Sequence, residues 1–167
     1  MKLVVVYTGN GEGKTSAAFG HVLRALGQGK KCTVIKFLKK RKSGEDVIER
    51  LAKDKVKIYQ FGTKKFVLKP AKKDKEMVKN ALEKAKESLE REKPFLLVLD
   101  EINVAVSLGL LEEKEVIDFL KKIKSGIIIL TGRGRNKKIE NLANIVSEFR
   151  EIRHDFPKRK ATRGFEY

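Results

Sequence analysis

Tryptophan is absent from the 167-residue chain, cysteine occurs once, histidine twice and proline three times. A single cysteine, Cys32, excludes an internal disulfide; set in an apolar run, it reads as an inert buried thiol. His21 and His154 stand far apart with no ligand-like neighbours, so a histidine-based metal site is not expected. No apolar run approaches the roughly 20 residues that a membrane-spanning helix needs. The apolar stretch Leu3–Tyr7 is too short for a secretory signal and runs straight into a glycine loop. A cytoplasmic protein with no membrane partner is therefore expected. Pro/Ser-rich linkers and internal repeats are also missing, and the length suits one compact domain, expected to span 1–167.

Acidic residues are scarce beside basic ones: 22 against 39, for a formal net charge of +17. Three readings fit that surplus: a solvated, Lys/Glu-rich surface, attraction for polyanionic small molecules such as ATP, or nucleic-acid binding. No Lys/Arg-rich run is interleaved with the aromatics that a base-stacking platform requires, so a nucleic-acid partner is not expected.

What is present is an alternation. Strand-like apolar runs recur at Leu3–Tyr7, Cys32–Phe37, Val56–Tyr59, Phe95–Leu99, Ile127–Thr131 and Ile145–Phe149. Helices are expected between them at Thr15–Gly27, Asp46–Lys53, Asp74–Glu92, Glu113–Ile123 and Lys137–Ala143. The clearest is Asp74–Glu92, where Met77, Val78, Ala81, Leu82, Ala85 and Leu89 share one face. Pro94 marks its end. Alternating strand and helix predicts an α/β fold whose mostly parallel sheet carries helices on both faces. Lys39–Gly44 and Gly62–Lys73 read as basic loops, and Pro157–Tyr167 as a loop or mobile tail.

The strongest chemical signal is Thr8-Gly9-Asn10-Gly11-Glu12-Gly13-Lys14-Thr15, which follows a strand and opens a helix. That is the context of a phosphate-binding P-loop. Glycines let backbone N–H groups turn toward phosphate oxygens, and the helix N-terminus adds partial positive charge. Thr8 through Thr15, with Ser16 beyond them, are the candidate ATP-binding residues. Lys14 would neutralise phosphate charge and the Thr15 hydroxyl would ligate Mg²⁺ or Mn²⁺. Thr8 stands where the usual pattern has glycine. A second signal is Leu96-Leu97-Val98-Leu99-Asp100-Glu101, a buried strand ending in carboxylates. Asp100 would hold the metal, and Glu101 would contact metal or ribose, or orient a water. The third is Thr131-Gly132-Arg133-Gly134, whose arginine would meet a phosphate at a strand end. Lys14, Glu101 and Arg133 are the candidate catalytic residues.

Together these residues resemble the ATP:corrinoid adenosyltransferases of the P-loop type, over nearly the whole chain. The similarity runs through Tyr7–Thr15 with Ala17-Ala18-Phe19-Gly20, and through Leu99-Asp100-Glu101-Ile102-Asn103-Val104-Ala105. It continues in Ile129–Gly134, Arg153-His154-Asp155-Phe156 and the closing Gly164-Phe165-Glu166-Tyr167. The resemblance implies a RecA-like fold, a homodimer, and transfer of the 5′-deoxyadenosyl group of ATP to the cobalt of a reduced corrinoid, releasing triphosphate. It also implies a reversed nucleotide in the P-loop, which would give Thr8 a reason, and a reductase or flavodoxin as electron donor. Phe61 and Phe66 would press on the corrin, although the tryptophan that follows in similar proteins is missing here. His154 gains no chemical role from the resemblance. Two other classes compete: an ordinary P-loop ATPase or kinase yielding ADP, and a RecA-like nucleic-acid module with salt-sensitive DNA affinity.

Overall fold

A computed structural model describes residues 1–39, 43–63, 70–154 and 162–165. Phe66, Asp155, Phe156 and most of Pro157–Tyr167 lie outside them. Strands β1 (Lys2–Thr8), β2 (Cys32–Phe37), β3 (Val56–Phe61), β4 (Leu96–Asp100), β5 (Gly126–Thr131) and β6 (Ile145–Glu148) form one sheet in the order β3-β2-β4-β5-β1-β6. Every pairing in it is parallel. Helices α1 (Lys14–Gly27), α2 (Val47–Leu51), α3 (Lys72–Glu87), α4 (Ile102–Ser107), α5 (Glu113–Lys122) and α6 (Lys137–Glu140) complete a RecA-like α/β fold.

Strand alternation sorts the core into two layers. Val4, Val6, Ile35, Phe37, Leu97, Leu99, Ile128 and Leu130 face α3, α4, α5 and α6. Val5, Tyr7, Cys32, Val34, Leu96, Val98 and Ile129 face α1, which contributes Ala18, Phe19, Val22 and Ala25. Both faces of the central strands are buried, which is why they read as unbroken apolar runs.

Three local results differ from the pattern in the sequence. The long helix starts at Lys72, and its last residues, Ser88–Glu92, widen into a π turn that ends at Lys93 in left-handed backbone (φ 48°) before Pro94. Helix α4 has no counterpart in the sequence pattern: it is six residues long, and Glu101 at its start, at φ 66°, supplies no side-chain cap. Lys36, inside a strand buried along its whole length, is itself fully buried. The segment Ser43–Asp46 folds over it: its ammonium bonds to Asp46 and to Ser43 Oγ at 2.8 Å, and Gln60 Nε2 holds Asp46 Oδ2 at 2.8 Å.

Candidate active site

Parallel strands deliver their C-terminal ends to one edge of the sheet, and the chemistry-bearing residues collect there. The loop from β1 to α1 takes left-handed backbone at Gly9 and Gly13, both at φ 97°. Gly13 sits at the start of α1 and has no side chain to cap it, so the first-turn amides stay open to an anion. Two loop glycines answer to a different demand. The chain leaving β6 crosses against the loop: the Gly11 N–H donates to the Phe149 carbonyl at 2.8 Å, and the Phe149 N–H to the Thr8 carbonyl at 2.8 Å. A Cβ on Gly9 would stand 2.2 Å from the Phe149 oxygen, and one on Gly11 2.8 Å from the Arg150 carbonyl carbon. Gly11 therefore serves the packing of the loop, and its N–H is already engaged. Asn10, Glu12 and Ser16 are exposed. His154 Nε2 lies 3.0 Å from Glu12 Oε1, a second tie between the post-β6 chain and the loop.

Lys14 is buried, and its ammonium donates to the Gly11 carbonyl, closing the loop on itself. Burial pushes its pKa down; the Glu101 carboxylate works against that, while the Arg133 and Lys39 charges add to it. Three cations thus share the loop mouth, an arrangement that a polyanion relieves.

Asp100, fully buried at the end of β4, is the centre of the site. Its Oδ1 accepts from Thr15 Oγ1 at 2.9 Å and from Thr131 Oγ1 at 2.7 Å. Its Oδ2 faces the Lys39 ammonium at 3.2 Å, which also lies 3.1 Å from Glu101 Oε1. Burial alone would lower the Lys39 pKa, but Asp100 and Glu101 outweigh it and raise it. Glu101 turns out of the strand in left-handed backbone, and its N–H donates to Thr131 Oγ1 at 3.0 Å. Thr131 therefore holds the Asp100 carboxylate and the Glu101 backbone together. The Lys39 ammonium is a resident cation among the donors Thr15, Asp100 and Glu101, so these oxygens fit a positive ion. Among the described residues no cluster of three or more His, Cys, Asp or Glu could hold a metal. Two carboxylates and a hydroxyl are an incomplete shell of the kind that Mg²⁺ fills with phosphate oxygens and water.

Thr8, buried where a P-loop usually has glycine, donates to the Gly134 carbonyl at 3.0 Å. It thereby ties the loop to the Gly132–Gly134 turn. That turn is wedged on α4: a Cβ on Gly132 would meet the Val104 nitrogen at 3.0 Å, and one on Gly134 the Ser107 Cβ at 2.9 Å, with both glycines at positive φ. The turn is packed, and it presents Arg133, itself exposed, near enough for its charge to help lower the Lys14 pKa. Phe61 is half-buried against the core layer that faces α3. Sequence reasoning missed Lys39 and Thr131 as site residues. The available signal was weak: a lysine just past β2, and a hydroxyl ending an apolar strand.

The family model described as ATP:corrinoid adenosyltransferase BtuR/CobO/CobP matches residues 1–167. The chain belongs to the ATP:corrinoid adenosyltransferase family. It is 34% identical over 171 residues to the corrinoid adenosyltransferase of a Sinorhizobium species, covering 99% of this chain and 80% of that protein. Corrinoid adenosyltransferases of Pseudomonas aeruginosa and Escherichia coli K12 are 33% and 32% identical over 170 residues, each covering 99% of this chain and 83% and 85% of their own lengths. Corrinoid adenosyl transfer is the activity that this membership assigns. No described helix of this adenosyltransferase is long and apolar enough to cross a membrane.

Proposed function

We propose that this chain, as one domain over 1–167, joins the 5′-deoxyadenosyl group of ATP to the cobalt of a reduced corrinoid such as cob(I)alamin and releases inorganic triphosphate. In that reaction the cobalt(I) electron pair forms a bond to C5′ as the C5′–O5′ bond breaks, and the bonding pair leaves with triphosphate. The nucleophile belongs to the substrate, so the protein has two tasks: alignment of the reactants and stabilisation of charge on the leaving group. The observation that carries the reading is the gathering of Lys14, Lys39, Thr15 and Arg133 at the open end of α1, a surface suited to a departing polyphosphate. Lys14 would leave the Gly11 carbonyl for phosphate oxygen, and Arg133 would meet the triphosphate from the β5 side. Thr15, Asp100 and Glu101 would hold Mg²⁺ or Mn²⁺, which when bound supplies charge neutralisation on the triphosphate.

The same reading places the corrinoid on the side of Phe61 and Phe66, takes a reductase or flavodoxin as electron donor, and takes a cytoplasmic homodimer as the working form. Its support is the family resemblance of these segments. The test is anaerobic: protein, Mg·ATP and chemically reduced cob(I)alamin, followed by absorbance and product analysis. Light-sensitive adenosylcobalamin together with triphosphate supports the reading. Accumulation of ADP and phosphate without a cobalt–carbon bond would overturn it.

A further inference from the structure

Lys39 is anchored with care for a residue in a basic loop. Leu38, before it, holds left-handed backbone at φ 60° without being glycine. Gly62, after β3, packs so closely that a Cβ there would stand 2.4 Å from the Leu38 carbonyl carbon and 2.5 Å from the Lys39 nitrogen. This strained, clamped backbone aims the side chain into the Asp100–Glu101 cleft. There the ammonium lies 3.2 Å from Asp100 Oδ2, 3.1 Å from Glu101 Oε1 and 3.5 Å from Thr15 Oγ1. A divalent ion bound to the same three oxygens at about 2.1 Å would need the space that the ammonium fills. Two cations cannot share it. The Lys39 side chain is one-third exposed, so it has a way out that the fully buried Asp100 lacks.

We propose that Lys39 is an internal counter-cation: it occupies the divalent-ion position while the nucleotide is absent, and it is displaced onto the triphosphate when metal and ATP enter together. The inference rests on the reading that Thr15, Asp100 and Glu101 hold the metal. It has a physical logic. Without a resident cation, Asp100 would be a buried charge lacking an ionic partner, a costly state. With one, metal alone must displace an ammonium already paired with both carboxylates, and that ammonium exchanges two ion pairs for water alone. ATP supplies the destination, so metal and nucleotide should bind cooperatively.

The test uses the full chain and Mn²⁺ alone, titrated without nucleotide and followed through the electron paramagnetic resonance signal of free Mn²⁺. Wild type is compared with Lys39→Met and with Lys39→Gln, the second retaining polarity in case the first fails to fold. Both variants are expected to bind Mn²⁺ at least about tenfold more tightly than wild type, and the factor by which ATP strengthens Mn²⁺ binding should shrink in both. Equal or weaker Mn²⁺ binding in the variants overturns the proposal. Asp100→Asn separates this failure from that of the metal-site reading: if it binds Mn²⁺ with ATP as wild type does, the metal site itself is misassigned.

Discussion

Thr131 shows how much of the site rests on one hydroxyl. It donates to Asp100 and accepts from the Glu101 N–H, so an isosteric Thr131→Val leaves a buried carboxylate short of a donor and an amide without its acceptor. Unfolding in denaturant should show a loss of about 1–3 kcal/mol, and Mn·ATP affinity should fall with it. Lys14→Ala is the complementary case. Its ammonium bonds to the loop's own Gly11 carbonyl and lies 6.0 Å from the Phe149 ring centroid, with no carboxylate paired to it among the described residues, so little stability should be lost while ATP binding weakens by about 100-fold or more, read by calorimetric titration. Near-normal ATP affinity in that variant would remove Lys14 from the triphosphate. Gly-Lys-Thr and Asp-Glu were legible because each is a local word at the end of an apolar strand. Lys39 and Thr131 were not, because their importance comes from strands distant in sequence: β2 and β5 flank β4 on opposite sides and bring both residues to Asp100.

At the scale of elements, the strand alternation and the apolar face of α3 predicted the parallel sheet and its two layers, while α4 stayed hidden for want of a capping side chain at Glu101. The cover over Lys36 was equally hidden, since nothing in Cys32–Phe37 says which later segment neutralises a lysine. Asp46→Ala should unmask it: the buried ammonium keeps Ser43 and a 3.5 Å contact with Glu45 but loses its main partner. The expected loss is about 3 kcal/mol, a melting temperature lower by about 6–12 °C in a scanning melt. The Gly132–Gly134 turn allows a sharper separation of roles. In Gly134→Ala the new Cβ has no room against Ser107, and the Thr8 bond to the Gly134 carbonyl must stretch. If Arg133 meets the leaving triphosphate as proposed, adenosyl transfer should drop by about tenfold or more while cob(I)alamin affinity holds. Equal loss of corrinoid affinity would show that the turn supports the whole edge.

For the whole molecule, a charge of +17 sets up a field that favours anions before any contact is made. Raising ionic strength from about 0.05 to about 0.5 M should raise the KM for ATP several-fold and leave kcat nearly constant, since screening acts on approach more than on the buried Asp100 network. A kcat that falls in parallel would place the salt-sensitive step inside the site. The balance of stability along the molecule is uneven as well. Leu38 and Glu101 both hold left-handed backbone at the rim that carries the chemistry, a strain of about 1–3 kcal/mol each for side chains other than glycine. A laboratory selection for heat tolerance alone would find these two positions early and favour glycine or asparagine at both. Its survivors would have exchanged a carboxylate at 101 and the aim of Lys39 for firmness, so breeding this protein for shelf life and breeding it for turnover pull the same rim in opposite directions.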